Sequence, residues 1–195
     1  MRMSSIKSSG MDEIFDDIVY DIPFLDYNSE ILRISSSPLS SNSIVEYSID
    51  GGSSDIIEVP NIEGEFLVNG NQGEDLIIGI GNIVYHGGQD DDVIAVSQGE
   101  IYGDKGADTF IGVTGGGYAV IQDYTIGEDV IALTMGGEWS NIESGLMYTD
   151  SSGEEVMLLV GIDDVQQVET IDGSTIGGGG GQVGQSIGDG GGWLL

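Results

Sequence analysis

The sequence predicts an all-β chain wound as a flattened coil, and three observations predict it. First, four segments align under one another: "DGGSSDIIE" from Asp50, "GNQGEDLII" from Gly70, "GGQDDDVIA" from Gly87 and "GDKGADTFI" from Gly103. Each has small or turn residues, an aspartate at its sixth place and a large apolar residue two places later. These aspartates, Asp55, Asp75, Asp92 and Asp108, recur at intervals of 20, 17 and 16 residues, which straddle two nonapeptides and therefore one full turn of such a coil. Second, the intervening "IIGIGNIVYH" and "IAVSQGEIYG" each hold two short apolar runs joined by a glycine turn and no aspartate, so one edge of the coil is acidic and the other is not. Third, strand side chains alternate, which points Ile57, Ile77, Ile94 and Phe110 inward on one sheet and Val68, Tyr85 and Ile101 inward on the opposite one.

The same alternation sends Ile56, Leu76, Val93 and Thr109 outward in one column, with Glu58, Ile78, Ala95 and Ile111 beside it. Most of that face is apolar, which on a soluble monomer marks a covered or interacting surface. The expected cover is the chain's own "IFDDIVYDIPFL", and the rival is a second subunit that would make a homo-oligomer through this face.

Composition narrows the chemistry. Four basic residues (Arg2, Lys7, Arg33, Lys105) stand against 34 acidic ones, for a formal charge of -30. That field leaves no patch for nucleic acid and repels anionic membrane surfaces. The absence of cysteine excludes thiolate sites and disulfides, and a single histidine, His86, excludes most imidazole zinc sites. Oxygen ligands remain, and they suit calcium. In "GGQDDDVIAV" three adjacent aspartates add to this charge, although two unit charges about 4 Å apart repel by roughly 1 kcal/mol even in water. Either the stretch is a solvated turn or a cation belongs there.

Four parts follow along the chain. Residues 1–43 form an N-terminal cap or docking segment and a linker: Ile14, Ile18 and Ile22 sit at helical spacing up to Pro23, and "SSSPLSSNS" has nothing to pack. Acidic residues interrupt the amino terminus, so neither a signal-peptide core nor a membrane span is expected there. Residues 44–117 hold the repeats, 118–176 a closing β segment, and 177–195 a glycine-rich C-terminal tail.

The repeats resemble the hemolysin-type calcium-binding repeat, the repeats-in-toxin (RTX) family, whose unit is G-G-x-G-x-D-x-U-x with U a large apolar residue. The best single matches are "GNQGEDLII" and "GDKGADTFI", and the resemblance covers about residues 50–165. It implies a right-handed parallel β-roll with a C-terminal β-rich closing segment, here "YAVIQDYTIGEDVIAL" and "GLMYTDSSGEEVMLLVGIDDV". It also implies that Ca²⁺ sits between loops stacked on the acidic edge. Calcium takes 6 to 8 oxygens at about 2.3–2.6 Å, more than one loop easily supplies. On this resemblance the metal site takes carboxylates from Asp75, Asp92, Asp108 and, more weakly, Asp55; Gly70, Gly73, Gly87, Gly103 and Gly106 permit turns that aim carbonyls inward, and Asp90 and Asp91 add field and backbone oxygens. Asp92, in the middle loop, serves both neighbours. The first copy lacks a fourth-position glycine, the third has Asp90 there, and the first rung is expected to bind weakly or not at all.

Other motifs carry less. "GQSIG" (184–188) lacks the strand-turn-helix and the residue order of a hydrolase elbow, and "GGGQVG" (179–184) reflects glycine abundance. No H-E-x-x-H occurs, so the zinc protease often joined to this repeat is absent. His86 is expected as a surface side chain, and Met135, Met147, Met157 and Trp139 as packing. The expectation is a secreted calcium-binding β-roll protein that folds on Ca²⁺ binding, with a non-enzymatic surface, matrix or adhesion role. Its tail is compatible with the uncleaved C-terminal signal that many family members present to a one-step, type-1-like exporter. The alternatives are an accessory folding or export module for a separate secreted enzyme, and a calcium buffer.

Overall fold

A computed structural model describes residues 31–33, 45–48, 52–59 and 66–173. The rest of the cap and linker, and the tail with its "GQSIG" and "GGGQVG", lie outside the described residues. Among the described residues fifteen strands build two sheets. One holds β1 (Ile31–Arg33), β3 (Ile56–Val59), β5 (Leu76–Gly79), β7 (Val93–Val96), β9 (Thr109–Gly112), β11 (Val130–Leu133) and β15 (Thr170–Asp172), side by side in that order. The other runs from β2 (Val45–Ser48) through β4 (Phe66–Gln72), β6 (Val84–Gln89), β8 (Gly99–Lys105) and β10 (Ala119–Ile121) to β14 (Glu155–Val160), β13 (Gly145–Asp150) and β12 (Gly137–Ile142). Successive strands alternate between sheets and pair in parallel with those one turn away, so the molecule is a parallel β-solenoid of about four turns.

The register aligns the inward columns the alternation predicts. Ile57 pairs with Ile77, Ile77 with Ile94, Ile94 with Phe110 and Phe110 with Ile131. Opposite them, Val68 pairs with Tyr85, Tyr85 with Ile101 and Ile101 with Ile121. All are buried in one core, where each large apolar side chain contributes about 1.5–3 kcal/mol. At the edge without aspartates Tyr85 donates to the carbonyl of Gly81 at 2.7 Å, satisfying its buried hydroxyl. A Cβ at Gly79 would fall 2.6 Å from that hydroxyl, which accounts for the small residue in "IIGIG".

Strands β10 and β11 continue the two sheets in register beyond the fourth repeat. Antiparallel β12, β13 and β14 then form a meander that joins β10 through parallel pairing of β14, while β15 closes the other sheet beside β11. Met157 and Met147 are buried here, and Trp139 stands over Tyr148 with ring centroids 4.9 Å apart. At the opposite end, β1 places Ile31–Arg33 against β3, so part of the N-terminal segment joins the sheet.

Candidate functional site

Each aspartate at the sixth place stands just before a strand of the first sheet, where parallel stacking brings its equivalents into one column. The amide of Asp55 donates to Oδ1 of Asp75 at 2.8 Å, that of Asp75 to Asp92 at 2.8 Å, and that of Asp92 to Asp108 at 2.9 Å. Backbone carbonyls answer: Asp55, Asp75 and Asp92 accept from the amides of Leu76, Val93 and Thr109, each at 2.8 Å. Asp92 thus serves both neighbours, through its carboxylate on one side and its amide on the other.

The column has a fifth member that the sequence reading left in the closing segment. Asp129 accepts from the amide of Asp108 at 3.0 Å through Oδ1 and from Thr125 at 2.7 Å through Oδ2. Its signal was present in "GEDVI", which repeats the Gly-x-Asp-x-apolar core of "GEDLI". Tyr124 at the leading position, where Gly70, Gly87 and Gly103 stand in the other loops, and the interval of 21 residues from Asp108 hid it.

Loop geometry explains the consensus and the departures from it. Second and fourth positions have positive φ: Asn71 (75°) and Gly73 (117°), Gly88 (123°) and Asp90 (76°), Asp104 (68°) and Gly106 (145°). Asn and Asp are the side chains that best tolerate this region, so Asp90 replaces a glycine without breaking the turn. The leading glycines Gly70, Gly87 and Gly103 have a different role from the turn-forming one expected. A Cβ at Gly70 would collide with Oδ2 of Asp75 and the carbonyl of Gly87, and one at Gly87 with Oδ2 of Asp92 and the carbonyl of Gly103. At Gly103 it would meet Oδ2 of Asp108. Each aspartate therefore folds back onto the glycine five residues before it.

The three adjacent aspartates diverge. Asp90 accepts from the amide of Gly73 (3.3 Å) and Asp92 from that of Asp75, both toward the preceding loop, whereas Asp91 accepts from Ala107 in the following one (2.8 Å). Only Asp92 is buried. Further out, Asp123 accepts from the amides of Gly103 and Asp104, each at 2.9 Å. His86 stacks on Tyr102 with centroids 4.6 Å apart and lies 2.7 Å from Asp104 Oδ2, a surface arrangement.

Burial makes the column electrostatically costly. Desolvation pushes the carboxyls of Asp75 and Asp108 up to about 7 and that of Asp92 up to about 9; the amide bonds oppose the rise, and neighbouring carboxylates add to it. Asp129 is raised for the same reasons. Oδ2 of Asp75 and Oδ2 of Asp92 are buried with no hydrogen-bond donor. Beside each lies the carbonyl of the next loop's leading glycine, a hard oxygen. Among the described residues no three acidic or imidazole side chains gather around one point, because each rung lends the column a single carboxylate. A cation here would draw on Asp75 Oδ2, Asp92 Oδ2 and the carbonyls of Gly87 and Gly103, and this donor set fits calcium.

Comparison with protein-family models, curated proteins and solved structures found no match to this chain.

Proposed function

We propose that this chain is a secreted calcium-binding β-roll protein of the repeats-in-toxin kind, with a non-enzymatic surface, matrix or adhesion role. The observation that carries the proposal is the pair of buried carboxylate oxygens, Asp75 Oδ2 and Asp92 Oδ2, without a donor in a column whose carboxyls burial pushes upward. A buried anion without compensation is expensive, and either a proton or a cation relieves it. At neutral pH, with a formal charge of -30 on the chain, a divalent cation supplies that relief without a change of backbone. Calcium would neutralise the column and tie consecutive loops together through Asp75, Asp92, Gly87 and Gly103; Mg²⁺, which demands tight octahedral geometry, suits it less.

Titration calorimetry with the full chain tests this. Calcium affinity of about 0.1–1 mM is expected for an extracellular module, whereas submicromolar affinity would favour a buffer. Absence of calcium binding near neutral pH would overturn the proposal. Removing residues 177–195 is expected to retain the protein in the producing cell while leaving its β-sheet spectrum intact. Co-purification with a hydrolase or epimerase would instead favour the accessory module.

One observation favours a second reading. Oδ1 of Asp75, Asp92, Asp108 and Asp129 each already accepts a backbone amide, so the column also suits a metal-free acidic solenoid whose carboxyls are protonated. Full native β structure near neutral pH in chelator would select it.

A further inference from the structure

The two sheets end in four edge strands, and these are not alike. β1 and β15 hold three residues each and β2 four, whereas β12 holds six. A long edge offers unpaired amides and carbonyls to any strand that arrives, and proteins usually protect it with proline, lysine, a bulge or brevity. In β12, "GEWSNI", there is no proline, no lysine and no register shift along its six pairs with β13. All of its residues but Trp139 are exposed, and among the described residues no strand lies beyond it.

The ladder tells which backbone groups are free. The amide of Ser151 donates to the carbonyl of Gly136 at 2.8 Å, and that of Gly161 to the carbonyl of Ser144 at 2.9 Å, which fixes the phase of the meander. Bonded and non-bonded pairs alternate between antiparallel strands, so Glu138, Ser140 and Ile142 bond to β13, while the amides and carbonyls of Gly137, Trp139 and Asn141 point to the open side. Side chains alternate as well. Trp139 packs against the core beside Tyr148, and Glu138 and Ser140 take the other face.

We infer that β12 is a docking strand for an extended segment of a partner polypeptide in which apolar and basic residues alternate. The segment adds to the eight-stranded sheet through the free amides and carbonyls of Gly137, Trp139 and Asn141. Charge sets the sign of the partner. Residues 137–164 carry seven acidic side chains, Glu138 on β12 and Glu143 just after it among them, and no lysine, arginine or histidine follows Lys105. On an added strand one face lies beside Glu138 and the other beside half-buried Trp139, so a basic residue suits the first and an apolar residue the second. A second copy of the chain fits less well. Pairing β12 with β12 brings together two molecules of formal charge -30 at ends that hold no cation.

Fluorescence anisotropy with the full chain and a labelled hexapeptide of alternating valine and lysine tests this. Saturable binding that weakens with added salt is expected, and none is expected from a valine–glutamate hexapeptide. The valine–lysine peptide with every backbone amide methylated keeps its charge and side chains but has no donor for the ladder, and about tenfold weaker binding is expected from it. On the protein, Asn141→Pro removes one outward amide and no bond to β13, and proline is tolerated where an edge amide faces solvent. It is expected to bind the peptide more weakly than Asn141→Ala, which keeps that amide. Should Asn141→Pro lose its native β spectrum, the methylated peptide on the parent chain decides. Equal binding of the methylated and unmethylated peptides would reduce the contact to charge attraction and overturn the inference, as would absence of binding by the valine–lysine peptide. Self-association of the parent chain that Asn141→Pro abolishes would overturn it in favour of a second copy. No residue of β12 is a proposed calcium ligand, so this outcome is independent of the calcium proposal.

Discussion

The amide of Asp75 donates to Oδ1 of Asp92, 17 residues later, at 2.8 Å, and both residues are buried. Side chain and backbone of successive turns are locked together at this point, and the bond recurs up the column from Asp55 to Asp129. Asp92→Ala leaves the buried amide of Asp75 without an acceptor, a loss of about 1–3 kcal/mol. Asp55→Ala is expected to cost less, since Asp92 joins the rungs of Asp75 and Asp108 in the middle of the column. Urea unfolding of both variants checks the order, and equal losses would contradict it.

Asp92→Asn separates the two roles of this side chain. Its amide oxygen preserves the bond from Asp75 while the negative charge is lost. Calorimetry should show weaker calcium binding, while unfolding in chelator at about pH 5 should show stability unchanged or raised, because Asn needs no proton to be buried uncharged. A variant that binds calcium as the parent does would exclude Asp92 as a ligand.

Stability without metal should depend on pH in an unusual direction. The carboxyls of Asp75 and Asp108 are raised to about 7 and that of Asp92 to about 9 in the folded state, against an ordinary value of about 4 in the unfolded chain. The folded state therefore holds more protons. Its stabilisation is complete below about pH 4 and is lost as pH rises through about 7 and then about 9. In chelator the melting temperature should fall between about pH 5 and about pH 9, and saturating calcium should flatten that fall. A melting temperature that rises over this range in chelator would contradict the assignment of the column as buried and protonatable.

Gly87→Ala and Gly136→Ala test the close packing of the loops. The added methyl at Gly87 meets Asp92 Oδ2 and the Gly103 carbonyl, and a loss of about 1–3 kcal/mol is expected from such overpacking. At Gly136 nothing lies within 4 Å and φ is not positive, so alanine is expected to be neutral or to stabilise by up to about 1 kcal/mol. Thermal melts of the pair should move in opposite directions or differ by the full cost at Gly87.

Asp129→Ala is expected to destabilise about as much as Asp92→Ala, because Asp129 accepts two amides, those of Asp108 and Thr125. Urea midpoints compare them directly. A negligible effect would end the solenoid's aspartate column at Asp108.

The sequence by itself determined the two sheets, the inward columns from Ile57 to Phe110 and from Val68 to Ile101, and the acidic edge. Each of these follows from a period along the chain: alternation sets the face of a side chain, and a turn of 16 to 20 residues sets which aspartates stack. Tertiary structure decided what those aspartates touch. Asp90, Asp91 and Asp92 are neighbours in sequence, but Gly73, Ala107 and Asp75 receive them, because loops above and below offer amides that no local pattern records. The same stacking admits Asp129 without a leading glycine and reserves Gly70, Gly87 and Gly103 for carboxylates folding back five residues. Ile56, Leu76, Ile78, Ala95 and Ile111 are also buried, although alternation marks their face only as apolar. Local periodicity fixes direction, whereas burial depends on which distant segment arrives.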